Sequence, residues 1–365
     1  MKSEKSRRSF LRNTLSGSIL LSPMWYAPPR QTEILKPYTG SRDDRLPCTI
    51  LSAYEMDEAF LSAVKALSPD IQLMHRKPGE SATELLPKAD VYVGRLSEED
   101  FALAKNLKWI HSTSAGVEKQ LFPEVVESQV MVTNAKGCYA PAIADHTIGM
   151  LLALTRQISS QIKKMPTQTW GSSAVQVEMK EMTMGIVGFG GIGRQIARRA
   201  KGLDMNILAV DIQAYYPEQI GDLCDELYHV DGGGLETLLS QSDVVVCAAP
   251  HTAKSEGMFG EAQFAQMKPG SYFINVSRGK LVQTPALLAA IQSGHLQGVA
   301  LDVTDPEPLP SGHPLWAEEQ VIITSHMSGR SQFSRKRVQS VLVDNINRYI
   351  HGYPLLNWVD KEAGF

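Results

Sequence analysis

Met184-Gly185-Ile186-Val187-Gly188-Phe189-Gly190-Gly191-Ile192-Gly193 reads as a buried strand, a glycine turn and the opening of a helix. In such a turn Gly188 permits the tight reversal, Gly190 lets the backbone approach a pyrophosphate, and Gly193 lets the helix pack close on the strand. Gly191 and Ile192 start that helix, where unpaired amides point at an anion. The next apolar run, 207–210, ends at Asp211, placed to accept hydrogen bonds from an adenosine ribose. The charge of Asp211 disfavours a 2′-phosphate, and Ile212 beside it supplies no compensating cation. The stretch therefore specifies a dinucleotide site with NAD over NADP.

Outward from this turn the chain alternates short apolar runs with helical patterns. Strands are predicted at 184–187, 207–210, 244–247, 272–275, 299–302 and 322–324. An earlier set is predicted at 49–51, 71–74, 91–93, 109–112 and 130–133. Residues 57–67 carry Phe60, Leu61, Val64 and Leu67 on one side of a helix. Pro141 opens a helical stretch through about 162 that is apolar nearly all round, as for a helix buried between domains or subunits. Residues 332–350 read as a C-terminal helix. The expected architecture is α/β, with two Rossmann-like doubly wound parallel-sheet domains and a cleft between them. The substrate-binding domain takes 47–140 and the dinucleotide-binding domain 141–326. Residues 327–365 form a helix and tail that return to the first domain.

A chain of 365 residues is long enough for two cores. The 36 basic residues against 39 acidic ones leave a net charge of -3, without the basic excess of a nucleic-acid partner. The four cysteines, Cys48, Cys138, Cys224 and Cys247, are irregularly spaced and form no Cys-x-x-Cys pair, so no metal site is expected and all four read as buried thiols.

The N-terminus is of a different kind. Ser6-Arg7-Arg8-Ser9-Phe10-Leu11-Arg12, followed by a mildly apolar stretch at 15–27, is a twin-arginine pattern like bacterial Tat export signals. The apolar stretch is too short for a permanent membrane span. Residues 1–30 are read as this signal, engaging the Tat machinery and directing the protein to the periplasm. Residues 31–46 are read as a linker. Tat carries folded proteins, so a dinucleotide could travel already bound.

Three residues in the second half bear chemistry. Arg278 lies in Asn275-Val276-Ser277-Arg278-Gly279, Glu307 in Asp305-Pro306-Glu307-Pro308, and His326 in Ser325-His326-Met327-Ser328. A fixed guanidinium grips a carboxylate and polarises the neighbouring carbonyl. An imidazole exchanges protons near neutral pH. A carboxylate orients it and stabilises its protonated form. After a dinucleotide fingerprint, this set suits hydride transfer to C2 of a 2-keto acid.

With these motifs in place, the chain resembles the D-isomer-specific 2-hydroxyacid dehydrogenase family. The similarity covers almost everything after residue 48. It includes Val93-Gly94-Arg95, Ser112 to Val117, Val132-Thr133-Asn134, the glycine turn, Ala249-Pro250-His251-Thr252, Leu301-Asp302-Val303, His313-Pro314-Leu315-Trp316 and the closing Val359 to Phe365. The resemblance implies that Arg278 binds the substrate, His326 is the general acid/base and Glu307 is its partner. It implies that Gly94, Ser114, Ala115 and Gly116 cradle the substrate carboxylate through backbone N–H groups. Asp302 is implied to bond the nicotinamide carboxamide, and Ala249, Pro250, Ser277 and Thr133 to line the cofactor side. Asn134 falls near the domain junction, and a homodimer through the long helix is implied by analogy. Three departures stand out. Ser325 replaces the usual proline before the histidine, which should loosen that turn. Asp145 stands where glutamate is common. No regulatory domain follows residue 365, unlike the multidomain phosphoglycerate dehydrogenases. Two rivals remain at this stage: a formate- or phosphite-type dehydrogenase on the same scaffold, and a non-catalytic NAD-sensing interaction protein.

Overall fold

The computed structural model describes residues 47–365, apart from 78, 172–174 and 214–219. The twin-arginine pattern and the linker both lie outside the described residues. Two all-parallel sheets organise the chain. The first has strands β1 (Cys48–Ser52), β2 (Ile71–His75), β3 (Val91–Val93), β4 (Trp109–His111) and β5 (Met131–Thr133) in the order β2-β1-β3-β4-β5. The second has β6 (Thr183–Val187), β7 (Asn206–Asp211), β8 (Glu226–His229), β9 (Val244–Cys247), β10 (Ser271–Asn275), β11 (Leu296–Leu301) and β12 (Val321–Ile323) in the order β12-β11-β10-β9-β6-β7-β8.

Each sheet reverses its direction of growth beside its first strand, between β1 and β3 and between β6 and β9. A parallel sheet covered on both faces opens a crevice at that switch point, outside the carboxyl ends of the strands. The second sheet meets the requirement for two buried faces through unbroken apolar runs. Val187, Val245, Cys247 and Phe273 enter one core with Leu238, Phe264 and Leu287. Ile186, Val244, Val246 and Ile274 enter the other, with Ile143, Leu151 and Leu154 of the helix Ala140–Thr155 and Ile196 of the helix Gly191–Lys201.

The C-terminal helix Ser334–Ile350 leaves the second unit and packs Leu342, Ile346 and Ile350 against Ile50, Phe60 and Trp109 of the first. The tail follows: Val359 donates its amide to the Val132 carbonyl, and Trp358 bridges Thr133. The first sheet is thus completed by the last residues of the chain.

Three expectations need correction. The stretch from Pro141 to Ile162 is two helices, Ala140–Thr155 and Ile158–Lys164. They are broken at Gln157, whose φ of 58° lies in the left-handed region and cannot continue a helix. The first of these is buried, whereas Ile158 and Ile162 of the second are exposed. Strand β8 was not expected, because Glu-Leu-Tyr-His at a half-exposed sheet edge carries no apolar run. Cys224 is only partly buried, while the other three thiols are buried. Burial pushes Cys48 and Cys247 up to about 12 and Cys138 up to about 11, so these are inert thiols rather than nucleophiles.

Candidate active site

The glycine turn sits at the carboxyl end of β6, at the switch point. Gly188 has φ 94°, and a Cβ there would come within 2.6 Å of the Ala249 amide nitrogen. A Cβ at Gly193 would come within 2.2 Å of the Gly188 carbonyl, which is the close helix–strand approach expected of it. At Gly190 a Cβ would meet nothing within 4 Å, so the helix begins facing open space. The first-turn amides of the helix Gly191–Lys201, Gly191 and Ile192 among them, have no intrahelical acceptors and face an anion favourably. Asp211 closes β7 and accepts from the Phe189 amide at 2.6 Å and from the Gln213 amide at 3.0 Å. Its carboxylate therefore braces the glycine turn as well as charging the rim of the crevice. This cradle, anionic at Asp211 and with the Gly190, Gly191 and Ile192 amides unpaired among the described residues, fits a dinucleotide with a free ribose.

Arg278, Glu307 and His326 follow β10, β11 and β12, three adjacent strands that run parallel. Residues distant in sequence are thereby delivered to one sheet edge. Bonds and contacts link the loops. The Ser277 hydroxyl donates to the Ala249 carbonyl, tying the Arg278 loop to the glycine-turn side. Asn275, fully buried, accepts from the Ser277 amide at 3.0 Å and donates to the Arg278 carbonyl at 2.9 Å. At Gly279 a Cβ would lie 2.0 Å from the Thr304 carbonyl, so only glycine lets this loop rest on the one leading to Glu307.

His326 Nδ1 lies 2.6 Å from Glu307 Oε1, and its Nε2 has no protein partner among the described residues. Both side chains are partly exposed, at 46% and 41%. The turn carrying His326, at φ 49°, is pinned by Asp302. The Asp302 carboxylate accepts from Thr324 Oγ1 at 2.6 Å and from the Met327 and Ser328 amides at 3.0 Å each; the His326 amide bonds the Asp302 carbonyl at 2.8 Å. Burial alone would raise the Asp302 carboxyl, but these donors outweigh it and hold it below the usual carboxylate range. These bonds brace the turn in which Ser325 stands. The Ser328 side chain also bonds this carboxylate, and His146 Nε2 lies 3.7 Å from its Oδ1, so Asp302 is crowded with protein donors and supports the turn that carries His326.

The first domain contributes the facing wall. A Cβ on Gly116 would lie 1.8 Å from Arg278 Nη2, so the guanidinium rests directly on this glycine. The Ala115 and Gly116 amides keep no protein acceptor among the described residues, whereas the Ser114 amide makes a long 3.3 Å bond to Ser112 Oγ. Gly94 requires a correction. Its amide donates to the His111 carbonyl at 2.9 Å and is not free for a substrate; φ 127° and the close approach of Ala53 are what demand glycine there. Thr133 is also reassigned, for its buried hydroxyl is shared by Trp109 Nε1 and His111 Nδ1 at 2.8 Å each. Ser277 spends its hydroxyl on Ala249, and Pro250 borders the same loop. Asn134 donates to the Ala115 carbonyl at 2.7 Å and so shapes the substrate-side loop from behind. Asp145 pairs with Arg199 at 2.5 Å, away from these loops.

Sequence reasoning missed Glu118. It receives Arg278 Nε at 3.0 Å across the cleft. In Val117-Glu118-Lys119 it reads as half of a solvated charge pair, and no local signal marks it.

A family model described as D-isomer specific 2-hydroxyacid dehydrogenase, NAD binding domain, matches residues 148–328. The chain is 32% identical over 274 residues to the glyoxylate reductase of Thermofilum pendens, covering 74% of this chain and 79% of that relative. A crystal structure of a D-isomer specific 2-hydroxyacid dehydrogenase family protein from Aeromonas salmonicida aligns with a TM-score of 0.76 at 29% identity, covering 87% of this chain and 100% of the other. A second, from Xanthobacter autotrophicus in complex with NADPH and MES, aligns with a TM-score of 0.73 at 25% identity, covering 88% and 100%.

Proposed function

This chain belongs to the D-isomer specific 2-hydroxyacid dehydrogenase family, and we propose that it reduces small 2-keto acids such as glyoxylate or hydroxypyruvate to D-2-hydroxy acids through Arg278, Glu307 and His326. NAD-linked oxidoreduction between 2-hydroxy and 2-keto acids is its reaction class. The observation that carries the residue assignment is the 2.6 Å bond from His326 Nδ1 to Glu307, at the same sheet edge as Arg278.

NAD would be held by the amides at Gly190, Gly191 and Ile192 and by Asp211, and when bound it exchanges a hydride with C2. Arg278 has five N–H groups; Nε donates to Glu118 and one on Nη1 donates to the Ser277 carbonyl at 2.8 Å. Three remain, enough to grip one carboxylate end-on, with the Ala115 and Gly116 amides beside them. Glu307 fixes the ring so that Nε2 is the nitrogen that exchanges the proton. In reduction that nitrogen delivers its proton to the substrate oxygen, while Arg278 stabilises the growing negative charge. Positioning supplies effective concentration, and closure of the two domains excludes water.

The test is a steady-state panel of glyoxylate, hydroxypyruvate, phenylpyruvate, formate and phosphite, with NADH and NADPH for the keto acids and NAD for formate and phosphite. Turnover of the keto acids, with a lower KM for NADH than for NADPH, is expected. Turnover of formate or phosphite alone would move the chain to the rival chemistry, and no turnover at all would leave a sensor. A lower KM for NADPH would remove the role given to Asp211.

Two further readings accompany this one. A homodimer through the long helix is proposed, and just beyond that helix Ile158, Ile162, Met165 and Trp170 are exposed apolar side chains, spaced along a mostly polar stretch, that a second copy would cover. Sedimentation of the wild type as a monomer would refute this. Residues 6–12 direct export to the periplasm through Tat; cell fractionation finding the protein wholly in the cytosol with an intact N-terminus would refute that.

A further inference from the structure

We infer that Glu118 is a specificity-determining residue that selects keto acids carrying a single negative charge. The inference rests on the assignment of Arg278 as the carboxylate anchor. Glu118 comes from the first domain, in the loop after β4, and Arg278 from the second, in the loop after β10. Their bond, 3.0 Å from Nε to Oε1, crosses the cleft, and both side chains are about one-third exposed to it, at 33% and 31%. The other carboxylate oxygen of Glu118 lies 2.6 Å from the position of a Cβ on Gly116, so the acid sits on the same small wall that faces the guanidinium.

The charges follow from this placement. Arg278 and Glu118 together carry none. A substrate carboxylate brings one negative charge and takes the three free N–H groups. The Arg278–Glu118 pair has no second positive charge to offer, and a further anion on the substrate would face the Glu118 carboxylate in a partly desolvated cleft. Like charges a few ångströms apart at such a site discriminate by about tenfold or more. Small keto acids with an uncharged substituent are accepted, while a second carboxylate or a phosphate ester is rejected. Glu118 also holds Nε, which turns the Nη1/Nη2 edge of the fork toward the substrate.

The experiment compares kcat/KM for hydroxypyruvate with those for the dianions oxaloacetate and 2-ketoglutarate, in the full chain and in Glu118→Gln and Glu118→Asp. Wild type should favour hydroxypyruvate. Glu118→Gln should raise the dianion-to-monoanion ratio about tenfold or more, mainly through KM, with NADH affinity unchanged. Glu118→Asp, which keeps the charge, should leave the ratio near that of wild type. A ratio that stays within threefold in Glu118→Gln overturns the inference, as does a wild type that prefers the dianions. Should Glu118→Gln fail to fold, wild-type inhibition decides: oxamate must bind more tightly than the dianion tartronate, and the reverse order overturns the inference. Absence of keto-acid turnover in wild type would instead sink the function proposed above, so the two failures are distinguishable.

Discussion

Replacing Gly116 by alanine tests the geometry of the substrate anchor with one methyl group. Gly116 does not have a positive φ and is only partly buried, so alanine is compatible with the backbone and the fold should survive. The methyl carbon would stand 1.8 Å from Arg278 Nη2, 3.0 Å from Arg278 Cζ and 2.6 Å from Glu118 Oε2, where ordinary contact begins at 3.4 Å. The guanidinium must therefore retreat by about 1.6 Å, the difference between 3.4 and 1.8 Å. A misplacement of about 1 Å costs roughly a hundredfold in rate, or about 2.7 kcal/mol of transition-state stabilisation. We expect kcat/KM for glyoxylate at saturating NADH to fall about a hundredfold, much of it in KM, because the carboxylate is anchored in both ground and transition states. NADH affinity, measured by fluorescence titration, should hold, and the melting temperature should move little. A well-folded Gly116→Ala protein with kcat/KM within threefold of wild type would show that Arg278 does not anchor the substrate from the position described.

His326→Ala should lower turnover about a hundredfold or more while NADH still binds; Glu307→Gln, which keeps the shape and loses the charge, should cost about tenfold, both read from steady-state assays. Asp302→Asn sets an amide NH2 against either the Met327 amide or the Ser328 amide, which donate to different oxygens, and should cost about 1–3 kcal/mol in urea melts together with a fall in kcat. His111 is fully buried, and burial pulls its ring down to about 3 from the usual imidazole value of about 6.5. Because the folded value is below the unfolded one, the neutral ring contributes stability that is fully present above pH 6.5 and is lost as pH falls toward 3. About 2 kcal/mol of that should disappear between pH 6.5 and 5. Denaturant melts across this range should show a shallower loss for His111→Asn than for wild type, and equal slopes would contradict the buried neutral ring.

Much of the fold was legible because it depends on local rules. The runs at 184–187, 244–247 and 272–275 are apolar on both faces, as a covered parallel sheet demands, and they coincide with β6, β9 and β10 to within a residue. The glycine turn was legible because each glycine answers a separate steric requirement. Strand β8 was not, because an edge strand of Glu-Leu-Tyr-His needs no apolar run. Nor was the break at Gln157, since a left-handed residue that is not glycine leaves no composition signal. Gly94 and Thr133 were assigned to ligands through the family resemblance, and only the location of their hydrogen-bond partners shows that His111 and Trp109 already claim them.

The order of the residues by itself determined which chemical groups this protein owns: a dinucleotide turn, an arginine, an acid and an imidazole, each in a loop that follows an apolar run. Their type and local spacing are properties of the chain, and hydrophobic periodicity is enough to place them in loops after strands. Only the tertiary structure decided which groups meet. Parallel strands β10, β11 and β12 bring residues 278, 307 and 326 to one edge, and the fold lays Gly116 and Glu118 against Arg278 from 160 positions away in the case of Glu118. That meeting depends on strand order and domain packing, which are set by the burial of whole faces rather than by any neighbour in the sequence.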